Sequence, residues 1–340
     1  MTMSPEAKTE VLLVLNAGSS SLKFAVFALT GQGLVQRLDG QMEGIGAAPR
    51  FTLRDAAGTT LAERVFAEAE APKGHEGALG VILAALTPLL DGATIRAIGH
   101  RVVHGGRELS APVLITPAIM AELRALVPLA PLHQPHNLAG IEAAARYFPG
   151  VAQIACFDTA FHRTQSRAAA TFALPPRFYD QGILRYGFHG LSYEYIARRL
   201  AAEDAALGQA RLIVAHLGNG ASLCAIAGGQ SRATTMGFTA LDGVPMGTRS
   251  GQLDPGVVLH MLDNLQMNSA EIAHLLYHDS GLKGMSGISQ DVREIEAAGT
   301  DAAEAALDHF AFRVRREIGA LAASIGGVDA LVFTAGIGEN

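Results

Sequence analysis

Cysteine is scarce: the 340-residue chain has two, Cys156 and Cys224, each inside an apolar run. Two thiols without metal-ligand spacing exclude a disulfide framework and fit a reducing compartment. They read as small buried hydrophobes. An excess of positive charge is also missing, since 26 Lys and Arg stand against 32 Asp and Glu, a net charge of -6. Nothing in that balance points to nucleic acid or to an anionic membrane surface. No uninterrupted apolar stretch approaches the ~20 residues of a membrane-spanning helix. The start, Met1 to Glu10, is polar and mixed in charge, with no apolar signal-peptide core after it, so a cytoplasmic protein is expected. The P-loop pattern is absent, and so is the dinucleotide fingerprint after the first apolar run. A serine-hydrolase elbow is missing too, because Ser286 in Gly284-Met-Ser-Gly287 has the wrong spacing.

What is there is a packed globular chain, 49% hydrophobic and 17% charged. Its length suggests two domains. Val11–Leu15 and Leu22–Leu29 read as strands around a turn, Asn16–Ser21, and Gly31–Asp55 as further strands and turns. Helices are predicted over Gly77–Leu90, Pro117–Leu126 and Leu138–Tyr147. Strands are predicted over Ile95–Val103 and Val151–Phe157, the second ending on Asp158. The other half repeats the opening: Leu212–Ala215, a turn at His216–Gly220, then Ser222–Ile226. Glu203 to Gly208 reads as a surface loop. Leu307, Phe310, Val314, Ile318, Leu321 and Ile325 recur at spacings of three and four, which predicts a long helix. Ala330–Phe333 is a strand leading into Thr334–Asn340. Two α/β domains with a cleft between them are expected, with the boundary near Asp158.

Three turns rich in glycine follow predicted strands: Asn16–Lys23, His216–Ser222 and Gly336–Asn340. Converging backbone N–H groups, hydroxyls and Lys23 suit them to hold phosphates and a nucleoside, although tight hairpins use the same residues. Arg101 ends a strand before Gly105-Gly106, and Arg249 sits in a loop between Gly247 and Pro255. Their planar forks suit carboxylate and phosphate oxygens, and a surface salt bridge is the plainer reading of each. His133 and His136 lie in a proline-broken loop without a convincing third zinc ligand. His162 reads as structural. Asp158, at the end of an apolar strand, could hold Mg2+ through water, accept a hydrogen bond from a ligand, or cap a helix.

These segments resemble the acetate kinase family from end to end and in its order. Asn16-Ala-Gly-Ser-Ser-Ser-Leu-Lys23 is similar to its opening motif, and Met236 to Gly251 to its second. Tyr186-Gly-Phe-His-Gly190, His216-Leu-Gly-Asn-Gly220 and Gly336-Ile-Gly-Glu-Asn340 fit as well. The resemblance implies an actin-like ATPase fold of two duplicated ribonuclease-H-like domains, 1–158 and 159–340. The second domain would carry nucleotide binding and homodimerisation. It implies Mg2+ or Mn2+ with ATP and ADP, and acetate and acetyl phosphate as the other substrates. Asn16 would be a magnesium ligand and Lys23 would touch the nucleotide phosphates. Arg101 would be a catalytic residue and, with Val103, Leu132, His133, Phe188 and Ala240, would bind the carboxylate substrate. Asp158 would be the catalytic acidic residue, and His189 and Arg249 would stabilise the transition state. His216, Leu217, Gly218, Asn219 and Gly220 would hold phosphates. Asp291, Val292 and Arg293 would hold adenosine, together with Gly336, Ile337, Gly338, Glu339 and Asn340.

The chain departs from the family pattern at Gln134, His136, Leu191, Tyr193, Ala233, Ala240 and Gln252. It stops at Asn340, where family members continue with another acidic magnesium ligand and a closing segment, so weak activity or none is expected of it as it stands. A carboxylate nucleophile is already ionised at pH 7. The expected work is therefore positioning and charge neutralisation, with Asp158 an organiser more than a base. Rival readings are a propionate or other short-chain carboxylate kinase, a nucleotide-gated actin-like protein without catalysis, and a catalytically dead fragment.

Overall fold

In the first strand Val11, Leu13, Leu15 and Ala17 are buried, and the residues between them face the other side. That period of two fixes which face meets the core and which carries polar groups. The computed structural model describes residues 9–90 and 92–340. Two compact units divide the chain between Phe157 and Asp158.

The first unit is built on an eight-stranded sheet. Strand β1 (Glu10–Ala17) pairs antiparallel with β2 (Ser21–Thr30), and β3 (Gly33–Glu43), β4 (Arg50–Asp55) and β5 (Thr60–Val65) continue outward as a meander. Helix α1 (Gly74–Leu90) then crosses over, so that β6 (Thr94–Val102) lies parallel to β1 on its other side. Short β7 (Val113–Leu114) and helices α2 (Pro117–Ala125) and α3 (Gln134–Tyr147) lead to β8 (Ala152–Phe157), parallel to β6. The core joins Leu13, Leu15, Phe24 and Phe51 to Leu79, Ile82 and Leu86 of α1.

Helix α3 starts four residues before the predicted Leu138, so His136 is helical and His133 is the residue before the helix. Pro135 sits in its first turn. Proline is tolerated there because that N–H has no intrahelical partner anyway.

The second unit opens with short helices α4 (Arg167–Ala170) and α5 (Pro176–Asp180), then α6 (Gly190–Glu203) and α7 (Ala205–Gln209). The predicted loop over Glu203 to Gly208 is thus mostly helical; Asp204 caps α7 by accepting from the Ala206 N–H. Strands β9 (Arg211–Leu217), β10 (Ala221–Ala227) and β11 (Gln230–Thr234) form a meander. After α8 (Pro255–Asp263), α9 (Ser269–His278), α10 (Gly281–Ser286), α11 (Val292–Ala298) and α12 (Asp301–Ser324), strand β12 (Ala330–Thr334) lies parallel to β9. The single turn α13 (Ala335–Gly338) follows. Phe310, Val314 and Leu321 of α12 are buried as their spacing predicts, with Ala303 and Ala306 beside them.

The order β11-β10-β9-β12 repeats β3-β2-β1-β6: a meander whose first strand gains a parallel neighbour after a helical crossover. The duplication read from the two glycine turns is therefore present in the strand topology. Among the described residues no helix is long and apolar enough to cross a membrane.

Candidate active site

In the first unit, sheet register sets three polar side chains in a row. Asn16 of β1 is paired with Lys23 of β2, so both stand on one face. On the other side Arg101 of β6 donates from Nη1 to Asn16 Oδ1 at 3.2 Å. Lys23 is exposed, while Asn16 and Arg101 are half-buried. His100 points the opposite way, into the sheet's other face, and hydrogen-bonds to the Gln153 amide at 2.7 Å. Its burial pulls the imidazole pKa down to about 4, so it stays neutral.

Two amides at the start of α3 fasten the strand ends that carry this row. Asn137 accepts from the Val103 N–H (2.9 Å) and donates to the Ala17 carbonyl (2.7 Å). Gln134 is fully buried; it accepts from the His104 N–H (3.2 Å) and donates to the His104 carbonyl (3.1 Å). His104 Nδ1 in turn accepts from the Gly106 N–H at 2.9 Å, which requires a neutral ring. Burial, which takes this pKa down to about 4, keeps it so. Val103 is buried next to this clamp, whereas Leu132 and His133 lie on the approach to α3, Leu132 exposed.

In the second unit, Asp158 is buried, and its carbonyl accepts from the Gly190 N–H at 2.8 Å where α6 begins. A Cβ on Gly190 would come 2.2 Å from that carbonyl oxygen, so only glycine allows the approach. The reading of Asp158 as a helix cap does not hold. The helical turn after it is preceded by Thr159, and no side chain caps it. His189 turns the chain into α6 with φ 59° and ψ 17°, the left-handed region. Its Nδ1 lies 2.8 Å from Ser222 Oγ. Its ring stacks on His216 with centroids 4.3 Å apart. His216 and Leu217 are the last residues of β9, so the turn itself is Gly218-Asn219-Gly220.

That turn joins two places. At Gly220, a Cβ would stand 3.5 Å from His189 Nε2 and 3.7 Å from Arg249 Nη1. The imidazole and the guanidinium therefore flank the same bare patch of backbone. Arg249 is held by donating from Nη1 to the Ala240 carbonyl at 3.1 Å. Phe188, just before His189, is buried and gives its carbonyl to His162 Nε2 at 2.9 Å. His162 also meets Ser231 Oγ at 2.8 Å, a structural tie as its sequence position suggests.

Gly218 and Asn219 line a cavity of about 820 Å³, with Asp291, Val292, Arg293, Gly336, Ile337 and Asn340. That volume suits a nucleoside. Asp291 caps α11 by accepting from the Arg293 N–H, and the Arg293 side chain folds back onto it. The hydrogen bond from Arg293 holds the Asp291 carboxyl below its ordinary range. Gly338 and Glu339 do not line this cavity. Glu339 instead accepts from the Ala335 N–H (3.2 Å), the residue whose positive φ of 67° turns the chain there.

Several residues of this site are not legible in the motifs. Gln290 and Glu296 line the cavity, and Ser192 and Tyr193 sit against His216. Glu296 lies three residues after Arg293 on α11, a helical spacing that could have flagged it, whereas Gln290 simply precedes Asp291 outside the helix.

The architecture is that of the two-domain actin-like ATPase fold. Porphyromonas gingivalis acetate kinase superposes with a TM-score of 0.83 at 38% identity, over 98% of this chain and 84% of that one. A propionate kinase from Francisella tularensis gives 0.87 at 36%, over 98% and 85%. A profile of the acetokinase family matches residues 11–340, and the chain belongs to that family. It is 53% identical to an acetate kinase of Methylocella silvestris over 97% of this chain and 83% of that protein. Against an acetate kinase of Nitrobacter hamburgensis the identity is 50%, over 97% and 81%.

Proposed function

We propose that the protein is an ATP-dependent phosphotransferase with a carboxyl acceptor, an acetate kinase that reversibly converts ATP and acetate to ADP and acetyl phosphate. One observation carries the reading beyond family membership. The turn Gly218–Gly220 lines a nucleoside-sized cavity at one end and is flanked by His189 and Arg249 at the other. A nucleotide seated there would direct its terminal phosphate toward an imidazole and a guanidinium.

Acetate is ionised at neutral pH and needs no base to become a nucleophile. The protein's task is to align it and to neutralise charge spreading over the transferring phosphoryl oxygens. Arg249 and His189 serve that charge. Arg101 binds the carboxylate with the apolar side chains Val103, Leu132, Phe188 and Ala240, and His133 adds a polar edge. Asp158 organises the site. Asp291–Arg293 and Gly336–Asn340 hold adenosine, and Lys23 meets the phosphates.

Mg2+ would accompany ATP and would neutralise phosphate charge during transfer, with Asn16 as its protein ligand. Such an ion keeps several waters and takes phosphate oxygens with one or two protein oxygens. Asn16 Oδ1 is an oxygen of that kind, already beside the Arg101 guanidinium. Among the described residues no cluster of three or more His, Cys, Asp or Glu could hold a metal ion. The enzyme acts in the cytoplasm as a homodimer formed through its second unit.

The test is trapping with hydroxylamine in the presence of MgATP and a series of acetate, propionate and butyrate. Acetyl hydroxamate should accumulate in step with ADP, most rapidly with acetate. ADP release that ignores the carboxylate would remove the proposal.

A further inference from the structure

Tyr193 and Ser222 are both fully buried in the second unit, one on α6 and the other on β10. The Tyr193 hydroxyl lies 2.5 Å from Ser222 Oγ, and Ser222 Oγ lies 2.8 Å from His189 Nδ1. The other ring nitrogen, Nε2, is the one nearest Gly220, on the side of Arg249. We propose that Tyr193 is a positioning residue which, through Ser222, keeps the proton of a neutral His189 ring on Nε2.

The direction of the chain follows from counting protons. A phenol and a serine hydroxyl each carry one. Among the described residues the Tyr193 hydroxyl has no hydrogen-bond partner except Ser222. A buried donor left unbonded is costly, so Tyr193 donates to Ser222. Ser222 then has its own proton to place, and His189 Nδ1 is the acceptor within reach. An acceptor nitrogen at Nδ1 puts the ring proton on Nε2. In the reverse order Nδ1–H would donate to Ser222 and Ser222 to Tyr193, leaving the phenol proton without a partner. Burial also pushes the phenol well above its ordinary pKa, so Tyr193 keeps its proton.

Ring packing surrounds the chain. The Tyr193 ring stands edge-on to His162 (centroids 5.7 Å apart) and to His216 (6.5 Å). His216, from β9, stacks on His189, and its own Nδ1 meets Ser192 Oγ at 3.1 Å. Charged and titratable groups near His189 include His216, Arg249 across Gly220, and Tyr193 through Ser222. The field of Asp158 and the Cys224 thiol also reaches Tyr193. A neutral ring with Nε2–H offers a phosphoryl oxygen a hydrogen bond and leaves positive charge to the arginine.

The inference rests on the proposed phosphoryl transfer only for its rate prediction. It is tested by nitrogen-15 NMR of the ring nitrogens in histidine-labelled protein at pH 7 to 8, with His189→Gln assigning the signals. The parent should show an unprotonated Nδ1 and a protonated Nε2 at His189. In Tyr193→Phe, which keeps the ring packing, the pattern should shift toward a mixture of tautomers. There kcat should fall about tenfold, with KM for ATP and acetate within twofold. A parent spectrum with the proton on Nδ1 overturns the proposal, whether or not the variant folds. So does a Tyr193→Phe protein that loses kcat with unchanged ring signals, since that would be packing alone. If the parent makes no acetyl phosphate, the functional reading fails while the spectrum still reports the tautomer.

Discussion

Arg249 is the side chain on which most of the proposed chemistry depends. Its Nη1 is tied to the Ala240 carbonyl at 3.1 Å, which aims the planar fork at Gly220. An arginine that meets a transferring phosphoryl group supplies roughly 10³–10⁵ in rate in other systems. Arg249→Ala should therefore lower kcat by about 10³ or more and leave ATP affinity nearly unchanged. Arg249→Lys should recover only part of the loss, because a point charge lacks the fork. Initial rates beside nucleotide titrations decide this, and a kcat within tenfold of the parent would exclude the role. The motif placed this residue correctly in a glycine-bounded loop. The partner that orients it, a backbone carbonyl nine residues away, has no sequence signature at all.

Three buried histidines give a second residue-level expectation. His100, His104 and His162 are each held neutral by burial, with pKa values lowered from 6.5 to about 4. The unfolded chain takes up these protons near pH 6.5, whereas the folded protein resists until about pH 4. Their contribution is thus whole above pH 6.5 and is lost as pH falls toward 4. Each costs up to about 1.4 kcal/mol per pH unit inside that window. Guanidinium unfolding midpoints should drop clearly between pH 7.5 and pH 5. Equal midpoints would mean the rings are not held neutral.

At the scale of elements, two glycines separate folding from chemistry. A methyl on Gly190 would meet the Asp158 carbonyl at 2.2 Å, so the start of α6 would have to move. Gly190→Ala should destabilise by about 1–3 kcal/mol, seen as a lower melting temperature. A methyl on Gly220 makes only ordinary contacts, at 3.5 Å from His189 Nε2 and 3.7 Å from Arg249 Nη1. Gly220→Ala should melt like the parent but turn over more slowly, because the methyl fills the space between the two groups. Equal loss of stability in both variants would refute the distinction.

The strands were legible because their apolar residues alternate, and the hairpin turns because glycine and serine punctuate them. The short helices of the second unit were not, since α7 through α11 are five to ten residues long and show little periodicity. Some carried local signals all the same. Asp254-Pro255 caps α8, and Asn268 with Glu271 forms a reciprocal capping box on α9. The Tyr193–Ser222–His189 chain lay beyond reach, because its members sit on two elements 29 to 33 residues apart. Only the packing of α6 on the sheet brings them together.

For the whole molecule, the proposed homodimer has a surface to work with. Helix α8 buries none of its residues, and Val257, Leu259 and Leu262 are exposed on it, with Leu265 beyond its end. Covering such a patch in a second copy is favourable by roughly 25 cal/mol per Å² of apolar surface. Sedimentation at micromolar concentration should show a dimer, and Leu259→Lys should shift it toward monomer. A monomeric parent would remove homodimerisation from the account.

Reversible phosphoryl transfer between ATP and acetate is the central claim, and the duplicated topology gives each unit its own meander sheet with polar residues beside it. Asn16, Lys23 and Arg101 come from one, and His189, His216 and Arg249 are arranged around the other. The most direct measurement of that claim is phosphorus-31 NMR of the purified protein with Mg2+, ADP and acetyl phosphate. The account predicts that the acetyl phosphate signal declines while the γ-phosphate signal of ATP grows by the same amount. Loss of acetyl phosphate to inorganic phosphate, or no change while the nucleotide is bound, would contradict it.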